Sequence, residues 1–387
     1  MKRLEGGICA VPGVLACGAR QGKYGLALIA ASGVAVGMFT TNKIRAAPLE
    51  VTAKNLENGW LDGLIANSGC ANCYTGQQGL KDSKDMARMM AGFLKTDPSR
   101  IGVASTGVIG RPMNMEIIES LFQEAKGRLR SSPDASQEAA KAIMTTDTKV
   151  KEIAVENGGV RVAGIVKGAG MIEPNMATMI CFIYTNANLP RSDLKDCLAS
   201  AVADSFNMLT IDGDTSTNDT IILTATGNKK CEIEAFREAL SYICIELARM
   251  MARDGEGATK YFETVITGAR SEEDAKAAAR AVSRSNLVKT AIYGSDPNWG
   301  RIVAAIGRSG AQVDPERITL RLEGNGRKVT LVERGGIAEG VLDQAKAIMK
   351  GDSIFIYVDL GLGDATVRSF GCDLTRGYVD INANYTT

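Results

Sequence analysis

The chain has 387 residues, 45% of them hydrophobic and 23% charged, the values of an ordinary folded protein long enough for two or three compact domains or one large one. Forty-five basic residues against forty-four acidic leave a formal charge of +1, so no general field draws the chain to nucleic acid or to an anionic membrane. Histidine is absent, which removes every Ser-His-Asp triad, Cys-His pair and imidazole-dependent zinc site. Acid–base chemistry is left to carboxylates, lysine, tyrosine, thiols or a terminal amine.

Along the chain, the stretch 1–19 begins with charges, but Pro12 and several glycines break its apolar run, so no signal peptide is expected. The longest apolar passage, 25–39, is shorter than the roughly 20 residues of a membrane helix. A soluble, cytoplasmic protein is expected. Amphipathic spacing predicts helices over 115–130 and 135–144, then β-branched runs predict strands over 160–166 and 179–184. A helix over 194–206, with Ser192 as its N-cap, precedes a strand over 220–224 and a helix over 235–253. After a strand over 262–266, Ser271 caps a helix over 272–283 whose first turn holds Glu272, Glu273 and Asp274. Strands over 318–322 and 329–332 flank a hairpin turn at Glu323-Gly-Asn-Gly326, followed by a helix over 338–350 and a strand over 354–358. Interleaved elements of both kinds imply an α/β protein with sheets covered by helices. No repeat or long linker marks a domain boundary. Nine scattered cysteines in a chain of this length fit a reducing cytosol better than a disulfide scaffold.

One segment stands apart. Lys167-Gly-Ala-Gly-Met-Ile-Glu-Pro-Asn-Met-Ala177 is a loop of glycine, proline and two charges that ends abruptly at Thr178, where a β-forming run starts. It lacks the GxxxxGK[ST] pattern and leads into a strand, so it is no phosphate-binding loop. It reads either as a plain turn into a buried strand or as a cleavage site. In the second case Thr178 becomes a new N-terminus, and its freed α-amine, with a pKa of roughly 7.7–8.0, takes the proton of its own hydroxyl. The residues alone leave both readings open.

KGAGMIEPNMATM resembles the autoprocessing motif of the ornithine acetyltransferases, the bifunctional glutamate N-acetyltransferase/amino-acid acetyltransferase family. Similar family blocks follow the family order: Phe39 to Pro48, Ala104 to Gly110, Met144 to Thr148, Thr210 to Thr220, Asp254 to Lys260, Leu287 to Ala291, Asp296 to Ile302 and Tyr378 to Thr387. Asn67-Ser-Gly-Cys-Ala-Asn-Cys-Tyr-Thr-Gly76 matches another block, with Cys70 where asparagine is expected. The resulting Cys70-x-x-Cys73 pair is read as incidental, because tetrahedral zinc needs two further ligands. No metal and no cofactor are expected.

The resemblance implies a layered α-β-β-α sandwich like that of N-terminal nucleophile hydrolases, with a further α/β region in the C-terminal part. It implies self-cleavage between Ala177 and Thr178 into an alpha chain, 1–177, and a beta chain, 178–387, paired as a dimer of alpha-beta pairs. Thr178 is then the nucleophile, with Thr106 and Gly107 as donors to the oxyanion. The substrate-binding positions are Thr145, Lys167, Thr178, Glu256, Asn382 and Thr387, with Thr146 adjacent. The implied reaction moves an acetyl group from N-acetylornithine to glutamate by a ping-pong route through an acetyl-Thr178 ester, in arginine biosynthesis. Bifunctional members also accept acetyl from acetyl-CoA. The competing readings are a self-processing aminopeptidase or amidohydrolase of related fold, and a non-enzymatic binding protein whose Thr178 is never exposed.

Overall fold

The computed structural model describes residues 1–173 and 179–384. The chain divides into two compact units, Met1–Ala203 with Asp214–Leu247, and Asp204–Gly213 with Ala248–Thr387. Both are mixed α/β.

The first unit begins with strands β1 (Lys2–Leu4), β2 (Leu15–Gln21) and β3 (Tyr24–Phe39). Helix α1 (Ala47–Asn55), β4 (Trp60–Ser68), α2 (Gly76–Leu94) and β5 (Ile101–Ser105) follow. Next come α3 (Met115–Lys126), α4 (Pro133–Ile143), β6 (Lys151–Asn157), β7 (Val160–Lys167), β8 (Ile180–Ala187) and α5 (Arg191–Ala203). After β9 (Leu209–Thr210), a short strand of the second unit, the chain returns with β10 (Thr220–Lys229) and α6 (Ile233–Arg253), whose last residues belong to the second unit. The sheet runs β1-β6-β7-β8-β10-β3-β4-β5, with β2 on β3; β8 and β10 are parallel, as are β4 and β5.

Period-2 alternation along β3 sends Ala27, Ile29 and Ala31 to one face and Leu26 and Leu28 to the other. The first face packs against the alanine-rich side of α4, the second against Met86 and Met90 of α2 and Leu121 and Phe122 of α3. All eight residues of β8 are buried, as a continuous apolar run covered on both faces requires. Each large apolar side chain there, such as Phe182, contributes about 1.5–3 kcal/mol by leaving water.

The second unit adds β11 (Tyr261–Ala269), α7 (Glu272–Ser283), α8 (Asn286–Tyr293), α9 (Trp299–Gly307), β12 (Thr319–Gly324) and β13 (Arg327–Glu333). It closes with β14 (Gly336–Ile337), α10 (Leu342–Met349), β15 (Ser353–Asp359), β16 (Ala365–Cys372) and α11 (Arg376–Ala383). Its sheet order is β14-β13-β12-β15-β11-β16-β9. The expected hairpin joins β12 to β13, and Ser271 accepts from the Asp274 N–H at 3.2 Å, as an N-cap should.

Four expectations move. Ser192 is not the cap of α5: the helix starts at Arg191, and the Pro190 carbonyl accepts from the Leu194 N–H. Because proline offers a free carbonyl and needs no donor partner, it serves as the flanking residue. The helix expected over 115–130 stops at Lys126, since Gly127 ends it and Arg130 is taken up in a bridge to Ala16. The helix expected over 194–206 ends at Ala203, and Phe206–Met208 forms a separate 3-10 turn. The helix expected over 338–350 begins only at Leu342, because Gly336–Ile337 pairs with β13 first.

Candidate active site

Ser105-Thr106-Gly107 leaves the end of β5 as a turn built from buried amides. The Ser105 hydroxyl donates to Asn67 Oδ1 at 2.6 Å, and the Thr106 N–H donates to the Asn67 carbonyl at 3.0 Å. Asn218 Nδ2 donates to the carbonyls of Ala71 (2.6 Å) and Ser105 (2.8 Å), tying the turn to the neighbouring segment 69–71. Gly107 has φ +133°, and a Cβ there would stand 2.4 Å from the Gly69 carbonyl carbon and 2.5 Å from Cys70 N. Only glycine fits this close approach. Cys70 bridges to Thr106 and Val108 and packs in the cluster under α2 and α3, whereas Cys73 packs with Ala46, Leu49 and Ala71. The two thiols therefore serve different pieces of the core.

Lys167, at the end of β7 and 4% exposed, brings two expected site residues, Thr106 and Thr145, to one ammonium. Its Nζ donates to Thr145 Oγ1 at 2.8 Å and to Thr106 Oγ1 at 3.3 Å. Asp147 lies behind it with Oδ2 at 4.0 Å, while Asp147 Oδ1 accepts from Lys151 Nζ and from the Gly168 N–H, each at 2.6 Å. The Thr145 N–H donates to Asp147 Oδ2 at 3.1 Å, so the same carboxylate orients both Thr145 and Lys167. Burial works to raise the pKa of Asp147, but Lys167, Lys151 and the hydrogen bonds from Lys151 and Gly168 overcome it and hold the acid down to about 2.

Replacing Asp147 by asparagine keeps the shape and leaves two buried ammonium groups without the carboxylate they share. Breaking such a pair costs about 3–5 kcal/mol. The expected loss is read from the denaturant midpoint, and an unchanged midpoint would count against the network. Because the folded pKa lies below the unfolded value of about 3.9, the carboxylate's stabilisation is complete above that value and is lost as pH falls through about 2.

In the second unit, Glu256 is 8% exposed, on the loop that follows α6. Asn382 of α11 donates from Nδ2 to Glu256 Oε2 at 2.8 Å. Thr375 caps α11 by accepting from the Tyr378 N–H, and its hydroxyl donates to the Gly257 carbonyl at 2.7 Å. The C-terminal segment through residue 384 is thus docked on the Glu256 loop rather than frayed.

Ala177, Thr178 and Thr387 lie outside the described residues. The residues that bound 174–178 are held in place. The Glu173 N–H donates to the Asp214 carbonyl at 2.9 Å, and Thr220 N–H donates to the Met179 carbonyl at 3.0 Å. The Met179 N–H donates to Asp219 Oδ1 at 2.9 Å. The segment 214–220 therefore holds the chain on both sides of the expected cleavage point.

Sequence reasoning did not single out Asn67, Asp147, Lys151, Asn218 or Asp219. All except Lys151 sit inside the blocks quoted for the family. The available signals were Asp147 four residues before Lys151, and Asn218-Asp219 directly ahead of an apolar β run.

The ArgJ family model matches residues 12–387. The chain belongs to the ArgJ family. It is 50% identical over 397 residues to a glutamate N-acetyltransferase of Methanothermobacter thermautotrophicus, covering 100% of this chain and 99% of that one. It is likewise 50% identical over 395 residues to a glutamate N-acetyltransferase of Methanosarcina mazei, with all of both chains covered. The arginine biosynthesis bifunctional protein ArgJ of Archaeoglobus fulgidus is 48% identical over 378 residues, 97% of this chain and 99% of its own. The ArgJ family resemblance of the sequence motifs thus extends over nearly the whole chain.

Proposed function

We propose that this protein is a glutamate N-acetyltransferase that moves the acetyl group of N2-acetyl-L-ornithine to L-glutamate, as a step of arginine biosynthesis. The observation that carries the reading is the convergence of Thr106 and Thr145 on the buried Lys167 ammonium, beside a turn whose Gly107 admits no side chain. Membership of the ArgJ family and relatives named for this activity support it.

In this reading the chain first cuts itself between Ala177 and Thr178, giving 1–177 and 178–387. The Thr178 hydroxyl then attacks the acetyl carbonyl of N-acetylornithine, its own α-amine taking the proton. Thr106 Oγ1 and the Gly107 N–H stabilise the oxyanion of the tetrahedral intermediate. Ornithine leaves, and the amine of glutamate attacks the acetyl-Thr178 ester in the second half of a ping-pong cycle. Lys167 receives a substrate carboxylate, as a charge-assisted donor already oriented by Asp147. Thr145, Asn382 and Thr387 complete the substrate contacts, with Glu256 serving a substrate amine. Acetyl-CoA is a second donor, the working form is a cytoplasmic dimer of alpha-beta pairs, and the sheets stack as an α-β-β-α sandwich. Helices packed on the strands of each unit, α4 on β2 and β3 and α7 on β11 and β16, support that layering.

Intact mass and N-terminal sequencing of the purified protein test the cleavage. Transfer from N-acetylornithine to glutamate, measured beside release of free acetate and repeated with acetyl-CoA, tests the reaction. Acetate release without transfer would favour the hydrolase instead. Glu256→Gln is expected to leave cleavage intact and to raise KM for the amine-bearing substrates about 10- to 100-fold, the worth of a hydrogen bond to a charged group. Unchanged kinetics with both substrates would remove Glu256 from the site.

A further inference from the structure

Asn218 is 5% exposed and engages its whole side-chain amide. One Nδ2 hydrogen goes to the Ala71 carbonyl at 2.6 Å and the other to the Ser105 carbonyl at 2.8 Å, while Oδ1 accepts from the Thr217 hydroxyl at 2.6 Å. The peptide unit between Ser105 and Thr106 is therefore gripped at both ends, its carbonyl by Asn218 and its N–H by the Asn67 carbonyl at 3.0 Å. A peptide group is planar, so holding both ends fixes its plane and with it the start of Thr106. The bond to Ala71 joins the turn to the same segment that Gly107 meets without a Cβ. The next two residues act elsewhere. Asp219 Oδ1 accepts the Met179 N–H at 2.9 Å, and the Thr220 N–H donates to the Met179 carbonyl at 3.0 Å. Asp219 is 1% exposed, and burial raises its pKa well above the ordinary carboxylate range, which favours the neutral acid there. The Thr220 hydroxyl donates back to the Asn218 carbonyl at 3.0 Å. Three consecutive residues thus hold the turn at Ser105 on one side and the chain at Met179 on the other. The acetyl-transfer scheme gives Asn218 no task.

We propose that Asn218 is a positioning residue for acetyl transfer: its amide sets the Ser105–Gly107 turn in the orientation from which Thr106 and Gly107 meet the oxyanion, and keeps that turn in register with Met179. The inference rests on the reading of Thr106 and Gly107 as the oxyanion donors. Such a role has its own kinetic signature. The oxyanion forms only as the carbonyl is attacked, so a displaced turn lowers kcat and leaves ground-state binding alone. A shift of about 1 Å is enough to cost about 10²-fold. Lys167 keeps its bond to Thr145 and its pairing with Asp147 wherever the turn moves, so affinity for a substrate carboxylate survives.

The test is Asn218→Asp, which keeps the shape, removes both amide donors and sets a carboxyl oxygen against two carbonyls. The kcat for transfer from N-acetylornithine to glutamate is expected to fall about 10²-fold. The calorimetric Kd for ornithine should stay within about twofold of the wild-type value. Wild-type kcat in the folded variant, or a Kd that weakens as much as kcat falls, would overturn this proposal alone. A Thr106→Ala protein that transfers acetyl at the wild-type rate would overturn the oxyanion reading and this one with it. Should Asn218→Asp not fold, Thr217→Ala decides. It leaves both Nδ2 donors in place but removes the hydroxyl that sets which edge of the amide faces the two carbonyls. There kcat is expected to fall about 3- to 10-fold at unchanged Kd, the worth of one hydrogen bond, and an unchanged kcat would overturn the assignment.

Discussion

Replacing Thr178 by alanine is expected to leave one uncut chain and to abolish acetyl transfer. In the proposed scheme both outcomes have a single cause, because the same Oγ would attack the preceding carbonyl in the precursor and the acetyl carbonyl in the cleaved form. Loss of a nucleophile typically costs about 10⁴-fold or more in turnover. The fold should not suffer. The strand that follows, β8, is buried over its whole length between β7 and β10 and packs through Phe182, Ile183 and Tyr184. Thr178→Ser restores a hydroxyl and should recover both activities in part. Intact mass and a transfer assay on the two variants suffice; transfer by the alanine variant near the wild-type rate would refute the assigned nucleophile.

Gly107→Ala carries the second largest effect. The added methyl meets backbone on both nearest sides, the Gly69 carbonyl carbon at 2.4 Å and Cys70 N at 2.5 Å, so no side-chain rotation can relieve it. The left-handed φ of +133° adds strain of about 1–3 kcal/mol for any residue with a Cβ. Relief must come from moving the 105–108 turn away from 69–71, which displaces the Thr106 hydroxyl from Lys167 as well as the Gly107 N–H. Loss of one oxyanion donor lowers rates about 10²- to 10³-fold, and the expected fall applies to self-cleavage and transfer alike. Gly110→Ala is the control: its φ is also positive, but among the described residues no atom beyond its two chain neighbours lies within 4 Å of a Cβ there. Equal rates for the two variants, with both folded by circular dichroism, would show that the turn plays no part in catalysis.

How much of this was legible depends on whether a residue's role is local. The N-cap at Ser271, the 323–326 hairpin and the apolar run of β8 are local, and each stands close to where the pattern put it. Strand β3 is different. Its small residues, among them Gly33, whose Cβ would lie 2.1 Å from the Ala225 carbonyl oxygen, answer to strands far away in sequence. Read alone they show only an apolar passage. The site divides the same way. Thr106, Gly107, Thr145 and Lys167 fall in recognisable blocks and do converge. Asp147 and Asp219 carry no local pattern that marks them out, and only their tertiary placement, 8% and 1% exposed, reveals them as buried acids of opposite behaviour.

The sheet order around β8 has a consequence for how the protein can be handled. Reading across, β7, β8, β10 and β3 lie side by side. If the bond after Ala177 is cut as proposed, the outer two belong to one polypeptide and the inner two to the other, like the interlaced fingers of two hands. The pieces cannot drift apart without tearing the centre of the sheet, so the cut should be silent in the native state. Denaturation would expose it: recovery of the nicked protein becomes a second-order encounter that fails on dilution, while the uncut Thr178→Ala chain renatures at a rate independent of concentration.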